Sequence, residues 1–114
     1  MTIIDTTAAE HYFWGNEFDA WHLANTAGLS VVQERVPSGG TEVRHAHRYA
    51  HQFFFVLRGT ATMRVDETEF TLREHQGIEI PPGTPHQFIN RSGVDVEFLV
   101  ISSPHSRGDR ITFP

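Results

Sequence analysis

Histidine marks this chain. Eight of its 114 residues are histidine, and three of them, His45, His47 and His51, fall within seven residues of one another. A fourth, His86, follows the turn Pro81-Pro82-Gly83-Thr84-Pro85. Neutral imidazole is the commonest protein ligand for zinc, iron, nickel and copper. Side chains alternate along a strand, so His45 and His47 share one face and can converge on a single ion. A rigid proline-rich turn suits a further ligand, His86, delivered from another strand at fixed geometry. Taken alone, a His-x-His pair reads equally well as two exposed side chains on an open strand face.

Other chemistries are excluded by composition. Cysteine is absent, which removes thiol nucleophiles, Cys-type zinc sites, iron–sulfur clusters and disulfides. Lysine is absent too, since all nine basic residues are arginine, so Schiff-base chemistry and the Gly-Lys-Ser/Thr phosphate loop are ruled out. A net charge of −5 offers no electrostatic footprint for nucleic acid or an anionic membrane. No apolar run approaches the roughly 20 residues that span a bilayer. The segment Met1–Thr7 lacks the basic region and apolar core of a signal peptide. The expectation is a soluble, cytoplasmic protein with no nucleic-acid or membrane partner.

The elements that must hold the histidines read as short strands. Apolar content of 39% and charged content of 20% are those of an ordinary globular chain, and the length suits one domain. From Ala20 onward, turn residues recur every eight to twelve positions, the spacing of an all-β sandwich or barrel. Strands are expected over Asp19–Thr26, Leu29–Val36, Thr41–His47 and Gln52–Leu57. The run Phe53-Phe54-Phe55-Val56-Leu57 suggests burial on both faces. Ala61, Met63 and Val65, then Phe70 and Leu72, alternate about an Asp66-Glu67 turn and read as a hairpin. Gly77–Ile80, Pro85–Asn90 and Val94–Ile101 complete the set, and no helical period is evident. Residues 1–18 are read as an arm whose Tyr12, Phe13 and Trp14 pack on the body formed by residues 19–114. Strands so many and so short must close or double their sheet to manage its edges, so the expected fold is a small β-barrel or jelly roll.

The spacing around the histidines resembles the two motifs of the cupin superfamily, G-x5-H-x-H-x3-4-E-x6-G and G-x5-P-x-G-x2-H-x3-N. Gly39, His45, His47 and Gly59 fit the first, with Gln52 where the family has Glu. Pro81, Gly83, His86 and Asn90 fit the second, with His75 in place of its leading Gly. The resemblance covers residues 30–101. It implies an all-β double-stranded β-helix, a jelly-roll barrel of short antiparallel strands, with one divalent transition-metal ion (Zn, Fe, Mn, Ni or Cu) inside. Carried over position by position, the ligands are His45, His47, Gln52 and His86. Glutamine is neutral, so this set leaves the full +2 charge on the site and favours an anionic extra ligand. The shorter x3 spacing lands on His51, which competes with Gln52 as ligand or serves as a catalytic base; a solvent-facing loop position is the plain alternative.

The remaining candidates carry less. His75 reads as a turn residue, His22 as either surface or cavity, and His11 and His105 as structural residues near the ends. Phe54, Met63, Phe88, Phe98 and Val100 read as core, two or three of them lining the cavity. Arg44, Arg48, Arg58 and Arg64 read as solvated charges, one of which at the mouth would clamp a carboxylate. The resemblance is compatible with a metal-dependent dioxygenase, decarboxylase, isomerase or cyclase acting on a small organic anion, and with a non-catalytic small-molecule-binding module. Cupins of this length also lead us to expect a homodimer, formed through sheet faces or edges.

Overall fold

In the computed structural model, which describes residues 1–114, eleven strands and no helix follow the chain: β1 (Glu10–Trp14), β2 (Phe18–Asn25), β3 (Ser30–Val36), β4 (His45–His47), β5 (His51–Arg58), β6 (Ala61–Val65), β7 (Thr68–Leu72), β8 (Gly77–Ile80), β9 (His86–Ile89), β10 (Val96–Ser103) and β11 (Arg110–Thr112). They form a six-stranded sheet, β1-β2-β3-β10-β5-β8, and a five-stranded sheet, β11-β4-β9-β6-β7, with every pairing antiparallel. This is the all-β jelly-roll arrangement, with one correction. The two sheets pack face to face but do not close into a continuous barrel, because no strand-to-strand ladder joins their edges.

Alternation explains what lies between the sheets. Phe54 and Val56 of β5 and Val96, Phe98 and Val100 of β10 point inward from the first sheet. Ala61 and Met63 of β6 and Phe88 of β9 meet them from the second. Phe88 stacks on Phe98 with ring centroids 4.0 Å apart. Burying a side chain of this size is worth about 1.5–3 kcal/mol, so this cluster supplies the main attraction between the layers.

Burial of β5 on both faces does not hold. Its exposure alternates, with Gln52, Phe54 and Val56 buried, Phe53 exposed, and Phe55 and Leu57 half-buried. No further layer covers the outside of the six-stranded sheet, so the outward phenylalanines stack on each other instead, at 6.3 Å. Phe55 in turn stacks on His75. The arm is a strand: β1 pairs with β2 from Glu10↔His22 to Trp14↔Phe18, and Trp14 packs against the core.

Two turn positions show why the motif spacing matters. Gly59 has φ of 86°, and a Cβ there would lie 2.8 Å from the Asp95 carbonyl oxygen. His75 takes φ of 63° at the position where the second motif begins with Gly. No helix of the structure is long and apolar enough to cross a membrane.

Candidate metal centre

Strand β4 is only three residues long, and it is held on both sides. His45 lies opposite His86 of β9, and His47 opposite Arg110 of β11. All three histidines are buried, and one ring nitrogen from each falls within 4.8 Å of the others, the arrangement of residues that could hold a metal ion.

The other nitrogen of each ring is already committed. His45 Nδ1–H donates to the Val43 carbonyl at 2.8 Å and His86 Nδ1–H to the Thr84 carbonyl at 3.0 Å. His47 Nδ1–H donates to Asp109 Oδ1 at 2.6 Å. An acceptor on Nδ1 fixes the tautomer, so each Nε2 carries the lone pair. Burial lowers His45 to about 3, helped by the nearby His86, and lowers His86 to about 4. Both are neutral at physiological pH, the state that ligates metal.

Two orphaned atoms complete the fit. His86 Nε2 is buried without a hydrogen-bond partner, and so is Gln52 Oε1. Gln52 Nε2 donates to Ser102 Oγ at 3.0 Å, which leaves the amide oxygen free. Buried polar atoms without partners cost about 1–3 kcal/mol each, and a cation would satisfy both. Three neutral imidazole nitrogens form a donor set suited to a divalent transition ion.

Adjacent residues on a strand face opposite ways, so β5 brings Gln52 and not His51 to this side. His51 is exposed on the outer face, with Nε2 2.7 Å from Glu79 Oε2. The structure does not bring it to the triad.

His45 and His47 of the triad open on a cavity of about 250 Å³. Phe54 and Val100 line it, whereas Met63, Phe88 and Phe98 lie in the closed core. His22 lines it as well, stacked on Tyr12 at 4.7 Å, and its Nδ1 is buried without a partner. His105, expected to be structural, also lines the cavity with an unpartnered Nε2.

The cation at the cavity is Arg110 of β11, and none of the four arginines considered from sequence lines it. Arg44 and Arg64 instead reach Glu67 on the surface, and Arg58 lies beside Glu97 away from the cavity.

Three acidic groups escaped the sequence reading. Asp109 is buried and bidentate. Oδ1 accepts a hydrogen bond from His47 Nδ1–H, and Oδ2 accepts the Tyr49 and Ala50 N–H groups at 3.1 and 3.0 Å. Burial would raise its pKa, but the Ala50, His47 and Tyr49 donors outweigh it and hold the carboxyl below its usual range. Glu42 Oε1 accepts the Phe88 N–H at 2.8 Å, while burial pushes this carboxyl up to about 8. Glu34 faces the cavity from β3, and burial, with Glu42 nearby, raises it well above its usual value.

Comparison with known proteins agrees with this architecture. Residues 32–102 match the cupin domain family. A protein of Methanocaldococcus jannaschii is 31% identical over 75 residues, which cover 66% of this chain and 60% of that protein. Mannose-1-phosphate guanylyltransferase of Klebsiella pneumoniae is 28% identical over 87 residues, 76% of this chain but 18% of the enzyme. The chain therefore spans less than two thirds of the length of either relative. The structure of KdgF from Halomonas sp. superposes with a TM-score of 0.85 at 16% identity, covering 94% of this chain and 96% of that one. With the matched segment spanning most of both sheets and carrying all three histidines, the chain belongs to the cupin family.

Proposed function

We propose that this cupin is a metal-dependent enzyme that acts on a small organic anion. The observation that carries the reading is the histidine triad, three convergent imidazoles whose outer nitrogens are all anchored, beside a cavity reached by Arg110. Side chains fixed in this way are prepared for an ion before it arrives, which lowers the reorganisation needed to bind it.

His45, His47 and His86 would hold the ion through Nε2, with the Gln52 amide oxygen as a further donor. A divalent ion in that position would polarise a carbonyl or lower the pKa of a bound water. Because all four donors are neutral, the site attracts an anion more strongly than a site with a carboxylate ligand would. The Arg110 guanidinium supplies the fork that matches a carboxylate. Phe54, Val32 and Val100 make part of the wall apolar, which excludes water and strengthens charge interactions inside.

Capture of a ligand without turnover is the second reading, since the same donors would serve a binding module. Two carboxyls on the cavity wall, Glu34 and Glu42, raised by desolvation, favour chemistry, because strongly perturbed acids cluster at catalytic sites.

Elemental analysis of protein purified without chelators tests the metal, with about one divalent ion per chain expected. His47→Ala and His86→Ala should each lose it, and full occupancy in both would sink the proposal. Turnover of a carboxylate and enol library by the loaded protein separates enzyme from binding module.

A further inference from the structure

Of the acids that face the interior, the half-buried Glu34 alone has no hydrogen bond or ion pair. Asp109 binds His47 and two backbone N–H groups, and Glu42 binds the Phe88 N–H. Glu34 shares the inward face of β3 with the buried Ser30, Val32 and Val36. Its carboxyl lines the cavity, and no hydrogen bond or ion pair from the protein holds it. An inward carboxyl without a partner costs stability, so the fold gains nothing by keeping it.

Its surroundings are those of a group meant to meet a ligand. Across the sheet, Glu34 lies opposite Ala20 of β2, and Ala20 lies opposite Tyr12 of β1, so a small residue leaves space between the carboxyl and the Tyr12 ring. On the other side it pairs with the apolar Phe98 of β10. The other titratable groups on the cavity are Tyr12 of β1, His22 of β2, Glu42, His45 and His47 on and before β4, His105, and Arg110 of β11. Of these, Glu42 opposes ionisation of Glu34 and Arg110 favours it. Glu34 and the triad stand on opposite sheets with the cavity between them.

We propose that Glu34 is the proton-transfer group of the cavity, exchanging a proton with an anionic ligand bound at the histidine triad. The proposal rests on the metal-centred reading above. In its protonated form the carboxyl gives its proton to the carbon of an enol's C=C bond. The C=C electron pair forms the new C–H bond, the enol O–H pair becomes the C=O π bond, and the hydroxyl proton returns to the Glu34 carboxylate. The result is an enol-to-ketone isomerisation with no other reactant. A divalent ion across the cavity would favour the ionised form of Glu34, and arrival of an anion would favour the protonated form. Ligand binding therefore charges Glu34 with a proton.

Zinc-loaded protein is titrated with oxalate by calorimetry from pH 6 to 9, in buffers of different ionisation enthalpy, to count protons taken up per oxalate. Wild type should take up a fraction of a proton that passes through a maximum in this range. Glu34→Gln should take up none, hold one zinc per chain, and unfold in urea at the same or a higher concentration. Glu34→Asp should restore uptake with a displaced maximum. Equal uptake in Glu34→Gln, no uptake in wild type, or a Glu34→Gln protein that unfolds earlier would each overturn the proposal. Wild type that fails to retain zinc would instead overturn the metal reading, and zinc-loaded protein that ignores oxalate would overturn the anionic substrate class.

Discussion

Gln52 is the most informative single residue of the site, because it is neutral where a cupin motif carries a carboxylate. Gln52→Glu keeps the shape and adds one negative charge beside the triad. Metal affinity should rise at least about tenfold, about 1.4 kcal/mol, while affinity for oxalate falls. Competition titration with a chromophoric chelator checks the first and calorimetry the second. Asp109 makes a complementary case. Its Oδ1 sets the tautomer of His47, and its Oδ2 ties down the Tyr49 and Ala50 amides. Asp109→Ala should weaken zinc binding roughly 10–100-fold, the usual cost of losing a carboxylate behind a ligating histidine. His45 and His47 stand out in the sequence by strand parity and motif spacing together, His86 and Gln52 as candidates by motif spacing alone. Asp109 does not, because it lies 62 residues beyond His47 in a segment with no alternating pattern. Glu34 was within reach: it stands two residues from Val32 and from Val36, on the face they bury.

The strands themselves were largely readable, since β2, β3 and β5–β10 fall within a residue or two of the alternating runs. β4 is shorter than the expected Thr41–His47, because Thr41 makes only an isolated bridge to Ile89. β1 and β11 were missed for a common reason: neither carries a fully buried residue, so no apolar alternation marks them. The two-faced burial expected of β5 failed because five apolar residues in a row say how much surface is available, not how many layers exist to cover it. The turn between β5 and β6 offers a sharper test. At Gly59 a methyl group meets both a positive φ and the Asp95 carbonyl, so Gly59→Ala should destabilise the protein by about 2 kcal/mol or more, read from urea unfolding. Zinc content of the molecules that remain folded should be unchanged, because Gly59 lines no part of the cavity.

For the molecule as a whole, the buried ionisable groups pull stability in opposite directions. His45 and His86 are held near 3 and 4 in the fold against 6.5 in an unfolded chain. Below pH 6.5 the unfolded chain binds more protons, so the contribution of these histidines is full above 6.5 and is lost as pH falls toward 4 and 3. Glu42, raised to about 8 from 4.5, and Glu34, raised in the same direction, work the other way. Their contribution is full below pH 4.5 and is lost as pH rises, in the case of Glu42 through 8. The metal-free protein should therefore be most stable between pH 4.5 and 6.5, and less stable on both sides. Urea midpoints of chelator-treated protein from pH 4 to 9 check this, and Glu42→Gln should flatten the alkaline side while preserving an acceptor for the Phe88 N–H. Self-association is a second property of the whole. The outer face of the six-stranded sheet carries Phe53, Ile101 and Val31 in one row, and Phe55, Leu99, Gln33 and Trp21 in the next. Arg58, Glu97, Arg35 and Asp19 border it with alternating charge, and a two-fold axis would set opposite signs against each other. A dimer is the expected result of light scattering at tens of micromolar, and a monomer there would leave this face without a partner.

The alternation along β9, β4 and β5 has a consequence for fidelity. His86 and Phe88 share a face, as do Gln52, Phe54 and Val56, and as do His45 and His47. A slip of one residue in β9 would turn His86 out together with Phe88, and a slip in β5 would turn out Gln52 together with Phe54. Such a molecule forfeits the packing that keeps the sheets together, so it is discarded as unfolded and never persists as a folded protein with a faulty centre. The core thus proofreads the site. Substitutions that weaken the core, such as Phe88→Ala, should lower the yield of folded protein and leave the metal affinity of each surviving molecule almost untouched.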